Sequence, residues 1–149
     1  MKNINKGFTL IELLVVIGII AVLTGLITFN FNSARARARD VQRKNDMKAV
    51  QQALEIYRQD HGQLYPPTDT WDGFMATLKG NNVISTSFTD PKWALKANSW
   101  TQYTYVSNSP YLTFTLTACL ENRADSDGVP GNAGLCFNSQ GRYYQLSNP

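Results

Sequence analysis

One histidine and two cysteines are the whole supply of imidazole and thiol in this 149-residue chain. His61 on its own excludes any site that needs two imidazoles, and Cys119 and Cys136 cannot build a Cys₂His₂ or Cys₄ zinc framework. Charge is scarce as well, at 17% of residues, and unevenly placed: residues 13–34 carry none. No proline precedes Pro66. Walker loops, HExxH, GxSxG and GxGxxG patterns are absent, so the commoner enzyme classes find no support.

What is present is an apolar segment that opens with Phe8-Thr9-Leu10-Ile11-Glu12-Leu13-Leu14-Val15-Val16-Ile17 and continues to about Phe31. As a helix, the uncharged stretch 13–34 would run roughly 33 Å at about 1.5 Å per residue, enough to cross a bilayer. One interpretation is a secretory signal peptide, with basic Lys2 and Lys6 in front and Ala34-Arg35-Ala36 matching the small-x-small cleavage rule. Two features oppose it: the run exceeds the usual apolar core of about 7–15 residues, and a carboxylate, Glu12, sits inside it. An ionisable group at the bilayer centre costs about 2.5–3.5 kcal/mol, so by default it has a partner and a function. A cut after Gly7 would leave a new amine on Phe8, four residues from Glu12. Pairing of amine and carboxylate between neighbouring chains would set axial register in an otherwise featureless apolar bundle. The plainer alternative is an interfacial glutamate that snorkels to water.

The stretch Lys6-Gly7-Phe8-Thr9-Leu10-Ile11-Glu12-Leu13-Leu14-Val15-Val16-Ile17 resembles the class III signal of type IV prepilins and type II secretion pseudopilins. The resemblance implies a cut between Gly7 and Phe8 by a membrane prepilin peptidase, N-methylation of Phe8, and an assembly role for Glu12. It further implies a pilin-like α+β fold: a long N-terminal spine helix packed on a small antiparallel β-sheet head. The corresponding boundaries are a leader at 1–7, a transmembrane and filament-core half of the spine at 8–31, an amphipathic half at 32–62, and a head at 63–149. Many family members carry a proline in the second half of the membrane segment. Here Phe29 stands near that place, and Gly18 and Gly25 soften the helix by about 1 kcal/mol each without enforcing a break.

Residues 34–61 read as helix. Met47, Val50, Leu54 and Tyr57 form an apolar stripe, Gly62 is a stop, and Pro66-Pro67 forbids continuation. Six of the fourteen residues from Arg35 to Lys48 are basic. Nucleic acid or anionic lipid could exploit that patch, but a solvated face paired with acidic side chains of neighbouring subunits is the favoured expectation. The patch also sets the positive-inside rule against an outward head. The cleavage motif is the more specific signal and takes precedence.

In the head, Leu64-Tyr65-Pro66-Pro67 resembles the Tyr-Pro turn that follows the pseudopilin spine. Residues 71–80 suit a short helix, Asp90-Pro91 a turn, and residues 102–106, 111–121 and 142–146 three strands of an antiparallel sheet. Cys119 and Cys136 flank a polar loop; outside the cytoplasm a disulfide is expected there, two buried free thiols being the alternative. Asp125-Ser126-Asp127-Gly128 has the oxygen-ligand spacing that opens a calcium loop, and some pseudopilins bind calcium in a comparable place. The twelfth position from Asp125, however, is Cys136 and not glutamate, and an ordinary solvated turn is the favoured reading. His61 suits a contact to the last helix carbonyls, and Trp71, Trp93 and Trp100 suit head core or subunit contacts.

The chain is thus expected to be a filament subunit and not an enzyme. Its partners would be copies of itself or related pilins, the prepilin peptidase, and an inner-membrane assembly platform with a separate ATPase. It would need no cofactor, calcium excepted. The precursor would sit in the inner membrane with its head outside the cytoplasm, then enter a pilus or pseudopilus. The competing function is a soluble exported module cleaved near Ala36 that binds nucleic acid or glycan through Arg39, Arg43 and Lys44 and the aromatic head.

Overall fold

The computed structural model describes residues 7–148 apart from 68–69, 95–99, 132–135 and 137–140, and the side chains of 26–30 also lie outside the description. The chain falls into two units, Met1–Arg35 and Ala36–Pro149. Helix α1, Leu10–Asp60, supplies residues to both. In the first unit its side chains are exposed throughout the described positions, with Phe8, Leu10, Ile11, Leu13 and Leu14 all open to solvent. Among the described residues no helix is long and apolar enough to cross a membrane. The span anticipated over residues 8–31 includes 26–30, whose side chains are outside the description; the described apolar part, residues 10–25, covers only about 24 Å at 1.5 Å per residue.

The C-terminal end of α1 follows from Gly62. It takes a left-handed φ of 65°, and Gln63 N–H then donates back to the Arg58 carbonyl at 2.9 Å, closing the helix with the six-to-one bond that glycine at this place permits. His61 lies with its Nδ1 2.8 Å from the Tyr57 carbonyl and its ring stacked 3.7 Å from that of Tyr57, the helix-end role anticipated for it.

In the second unit the stripe Met47, Val50, Leu54 and Tyr57 is buried as its spacing requires. Helix α2, Trp71–Gly80, starts at Thr70, whose hydroxyl accepts from Gly73 N–H at 3.2 Å, and turns Trp71, Phe74, Met75 and Leu78 inward. The expected Asp90-Pro91 turn is the start of a one-turn helix, α3 (Pro91–Ala94). Asp90 Oδ1 accepts from Lys92 N–H at 2.7 Å and proline stands where no donor is needed.

The sheet has four strands, β1 (Thr104–Ser107), β2 (Phe114–Leu120), β3 (Val129–Pro130) and β4 (Arg142–Ser147), antiparallel in the order β1-β2-β4-β3. The three expected strands are present; β3 is an addition, two residues paired to Tyr143 and Arg142. Central β2 carries Phe114, Leu116, Ala118 and Leu120 into one core with Val50, Leu54, Phe74 and Tyr105. Phe74 stacks on Tyr105 at 3.9 Å, which ties α2 to the sheet. The Tyr-Pro turn is pinned by Tyr105 and Ser107 hydroxyls, both donating to the Pro66 carbonyl at 2.7 and 2.6 Å.

Candidate functional site

Two arrangements carry the chemistry, one in each unit. At the N-terminus, Gly7, Phe8 and Thr9 precede the helix, and Thr9 caps it. Thr9 N–H and Oγ1–H donate to Glu12 Oε2 at 2.9 and 2.7 Å, and Glu12 N–H donates to Thr9 Oγ1 at 3.3 Å. This is a capping box: threonine and the glutamate three residues later satisfy each other's backbone donors. The Thr-x-x-Glu spacing is plain in the sequence, yet Thr9 was not singled out there. The carboxylate is also favourably placed beside the positive end of the helix dipole. Phe8, Ile11, Glu12, Val15 and Val16 line an open, shallow hollow of about 340 Å³. The spacing of Ile11, Glu12, Val15 and Val16 places them on one helix face, with Phe8 just before it, so the single charged side chain of the apolar run lies within an apolar strip.

In the head, a network of ions joins α1 to the far ends of β2 and α3. Arg43 is fully buried and donates through Nε to Asp90 Oδ2 at 2.6 Å, and through Nη1 to Asp40 Oδ1 at 2.7 Å and Glu121 Oε1 at 2.8 Å. Arg39 binds Glu121 through two nitrogens, each at 2.6 Å, and Lys92 reaches the same carboxylate at 2.9 Å. Asp40 accepts the backbone N–H groups of Glu121 and Asn122 at 3.0 and 2.8 Å, so the end of β2 hangs from the helix. The Trp100 ring lies 4.6 Å from the Arg43 guanidinium and 4.4 Å from Lys92 Nζ. Burial alone would lower the Arg43 pKa; the bonds to Asp90, Glu121 and Asp40 outweigh it and hold the guanidinium above its ordinary value. Burial likewise pushes Glu121 up, but the hydrogen bonds from Arg39, Lys92 and Arg43 win and bring its pKa down to about 2.

This network corrects the expectation for the basic patch. Arg39, Arg43 and Lys44 do not form a solvated face awaiting acids of neighbouring subunits; carboxylates of the same chain hold them. The pairing partners lie up to 83 residues away, which no local pattern reveals. The same pairing occupies Arg39, Arg43 and Lys44, the cations named for a nucleic-acid-binding module, while Arg35, Arg37 and Lys48 stay exposed.

Cys119 and Cys136 form a disulfide, with their Cα atoms 5.8 Å apart. Asp125 and Asp127 do come together, on Lys44: its Nζ lies 2.5 Å from Asp125 Oδ1 and 2.9 Å from Asp127 Oδ2. Among the described residues no group of three or more potential metal-ligating side chains occurs. Trp71 is buried and donates to the Phe88 carbonyl at 2.8 Å, whereas Trp93 is about half exposed on α3.

The first unit thus offers an exposed apolar helix whose first turn is closed by its own glutamate, and the second a small disulfide-bridged antiparallel sheet. Residues 2–28 match the prokaryotic N-terminal methylation motif. The chain is 34% identical over 68 residues to the type II secretion system core protein G of Aeromonas hydrophila, covering 46% of this chain and 47% of that one. The core protein G of Pseudomonas aeruginosa is 39% identical over 75 residues, covering 50% and 51%, and a fimbrial protein of Eikenella corrodens is 33% identical over 85 residues, covering 57% and 55%. The chain thus spans about half the length of the curated relatives it matches. No solved structure matches. The N-terminal segment is thus similar to that of type II secretion pseudopilins and of a fimbrial protein, and it carries their methylation motif.

Proposed function

We propose that this protein is a non-catalytic filament subunit, made as a prepilin, cut between Gly7 and Phe8, methylated on Phe8 and polymerised with copies of itself or related pilins into a pilus or pseudopilus. The observation that carries the reading is the coincidence, in one segment, of the methylation motif with an exposed apolar helix that has a single acid in its first turn. An apolar helix with every described side chain open to solvent needs a cover. A bilayer before assembly, and the same helices of neighbouring copies after it, would both provide one. Glu12 is already partnered by Thr9, which lowers the cost of holding its charge in apolar surroundings. The positive amine that cleavage creates on Phe8 would compete for that carboxylate, and a neighbouring chain's amine would use it for register. The prepilin peptidase, an assembly platform and its ATPase are the partners this reading requires, with the head outside the cytoplasm.

The test is Glu12→Ala in the producing cell. Cleavage after Gly7 should proceed normally while filaments are lost or sharply reduced. Normal filaments from that variant would refute the assembly role of the carboxylate.

A further inference from the structure

The resemblance to pseudopilins points to calcium at Asp125 and Asp127, and the loop around them does not fit it. Calcium takes about six to eight oxygens. Four oxygens of this loop are already engaged by nitrogens of the chain itself. Lys44 Nζ holds Asp125 Oδ1 and Asp127 Oδ2 at 2.5 and 2.9 Å, and Asp125 Oδ1 also accepts the Asp127 N–H at 3.0 Å. The carbonyls of Asp125 and Gly128 both accept from Arg142 Nη1 at 2.7 Å. The twelfth position, where a calcium loop carries its bidentate glutamate, is Cys136 in the disulfide.

Gly128 fits the same picture. A Cβ there would stand 3.0 Å from Leu120 Cδ1 and 3.1 and 3.2 Å from Arg142 Cδ and Cβ, so the glycine is what lets the arginine stem pass beneath the loop.

We propose that the loop bearing Asp125–Gly128 is clamped by two cations of this chain, Lys44 from α1 and Arg142 from β4, which take the place of a bound divalent ion and make the head indifferent to calcium. An ammonium offers three donors. Two of them meet carboxylates here, and the Tyr144 ring lies 5.8 Å from the nitrogen, within cation–π range. A calcium ion at the same two carboxylates would have to displace Lys44 and stand beside the Arg142 guanidinium. The clamp also fastens the loop to the helix: Lys44 follows directly on Arg43, so neighbouring residues of α1 hold two different parts of the head.

The test uses the full chain in detergent micelles, with thermal unfolding followed by near-ultraviolet circular dichroism in a chelator and in millimolar calcium. The unaltered chain should melt at the same temperature in both, and Lys44→Gln and Arg142→Gln should each melt lower by about 5 °C. A rise in the midpoint of the unaltered chain with calcium overturns the proposal, as do variants that melt with the parent. Titration of calcium into the unaltered chain by calorimetry needs no variant to fold. No saturable heat is expected, and saturable binding overturns the proposal. Neither readout involves cleavage or assembly, so the result is independent of the filament reading.

Discussion

Arg43→Met is the sharpest perturbation of the head. The arginine is fully buried, and its removal strands Asp90 and Asp40, themselves buried, beside Glu121. Breaking a buried ion pair by deleting one partner costs about 3–5 kcal/mol, because the remaining charge keeps its desolvation penalty and loses its counter-ion. At about 4 °C per kcal/mol for a head of this size, the midpoint of thermal unfolding should fall by about 12–20 °C. Methionine matches the volume of the arginine stem, so the loss is electrostatic and not a cavity effect. Adding Asp90→Asn to Arg43→Met should return part of the loss, with a coupling of about 1–3 kcal/mol between the two sites. The assay is calorimetry or near-ultraviolet circular dichroism of the full chain in detergent, read on the head's aromatic signal. A single variant within about 1 kcal/mol of the parent, or a double variant whose effects simply add, would refute the claim that this network holds the head on the helix.

Acid should loosen the same network in a defined window. The Glu121 carboxyl is pulled from an ordinary 4.5 down to about 2, so its contribution is complete above pH 4.5 and is lost as pH falls toward 2. The full shift corresponds to about 3 kcal/mol. Glu121→Gln should flatten the pH dependence of stability in that window while leaving the variant less stable near neutrality, and an unchanged slope would contradict the assignment. Reduction of the Cys119–Cys136 bridge, or its replacement by two serines, should cost the head about 3 kcal/mol, as expected for a closed loop of this length. Denaturant titration with and without reductant checks it.

Local chemistry was readable in advance, and distant chemistry was not. Gly62 ended α1, and the stripe Met47, Val50, Leu54 and Tyr57 became core, because both depend on periodicities of a few residues. Residues 71–80 and the alternating segments around Tyr105, Leu116 and Tyr144 followed for the same reason. Strand β3 escaped notice because two residues, one of them proline, make no alternating pattern and are ordered only by pairing with Tyr143 and Arg142. The basic patch was misread for a deeper reason. A run of Arg and Lys on a helix looks solvated until Asp90 and Glu121, 47 and 78 residues beyond Arg43, are brought to it by the fold. Asp125 and Asp127 were seen as a pair, but the ammonium between them comes from a helix more than eighty residues earlier.

The central claim is that the apolar segment is retained and becomes the packed part of a filament, and the identity of the mature N-terminus decides it. The measurement is the intact mass and N-terminal sequence of the protein taken from its native membrane or shed-filament fraction. The account predicts a chain that begins at Phe8, carries one added methyl group, and shows the two-hydrogen deficit of the Cys119–Cys136 bridge. A chain that begins at Arg37 would mean that the apolar helix and Glu12 are discarded, and would contradict the filament reading outright.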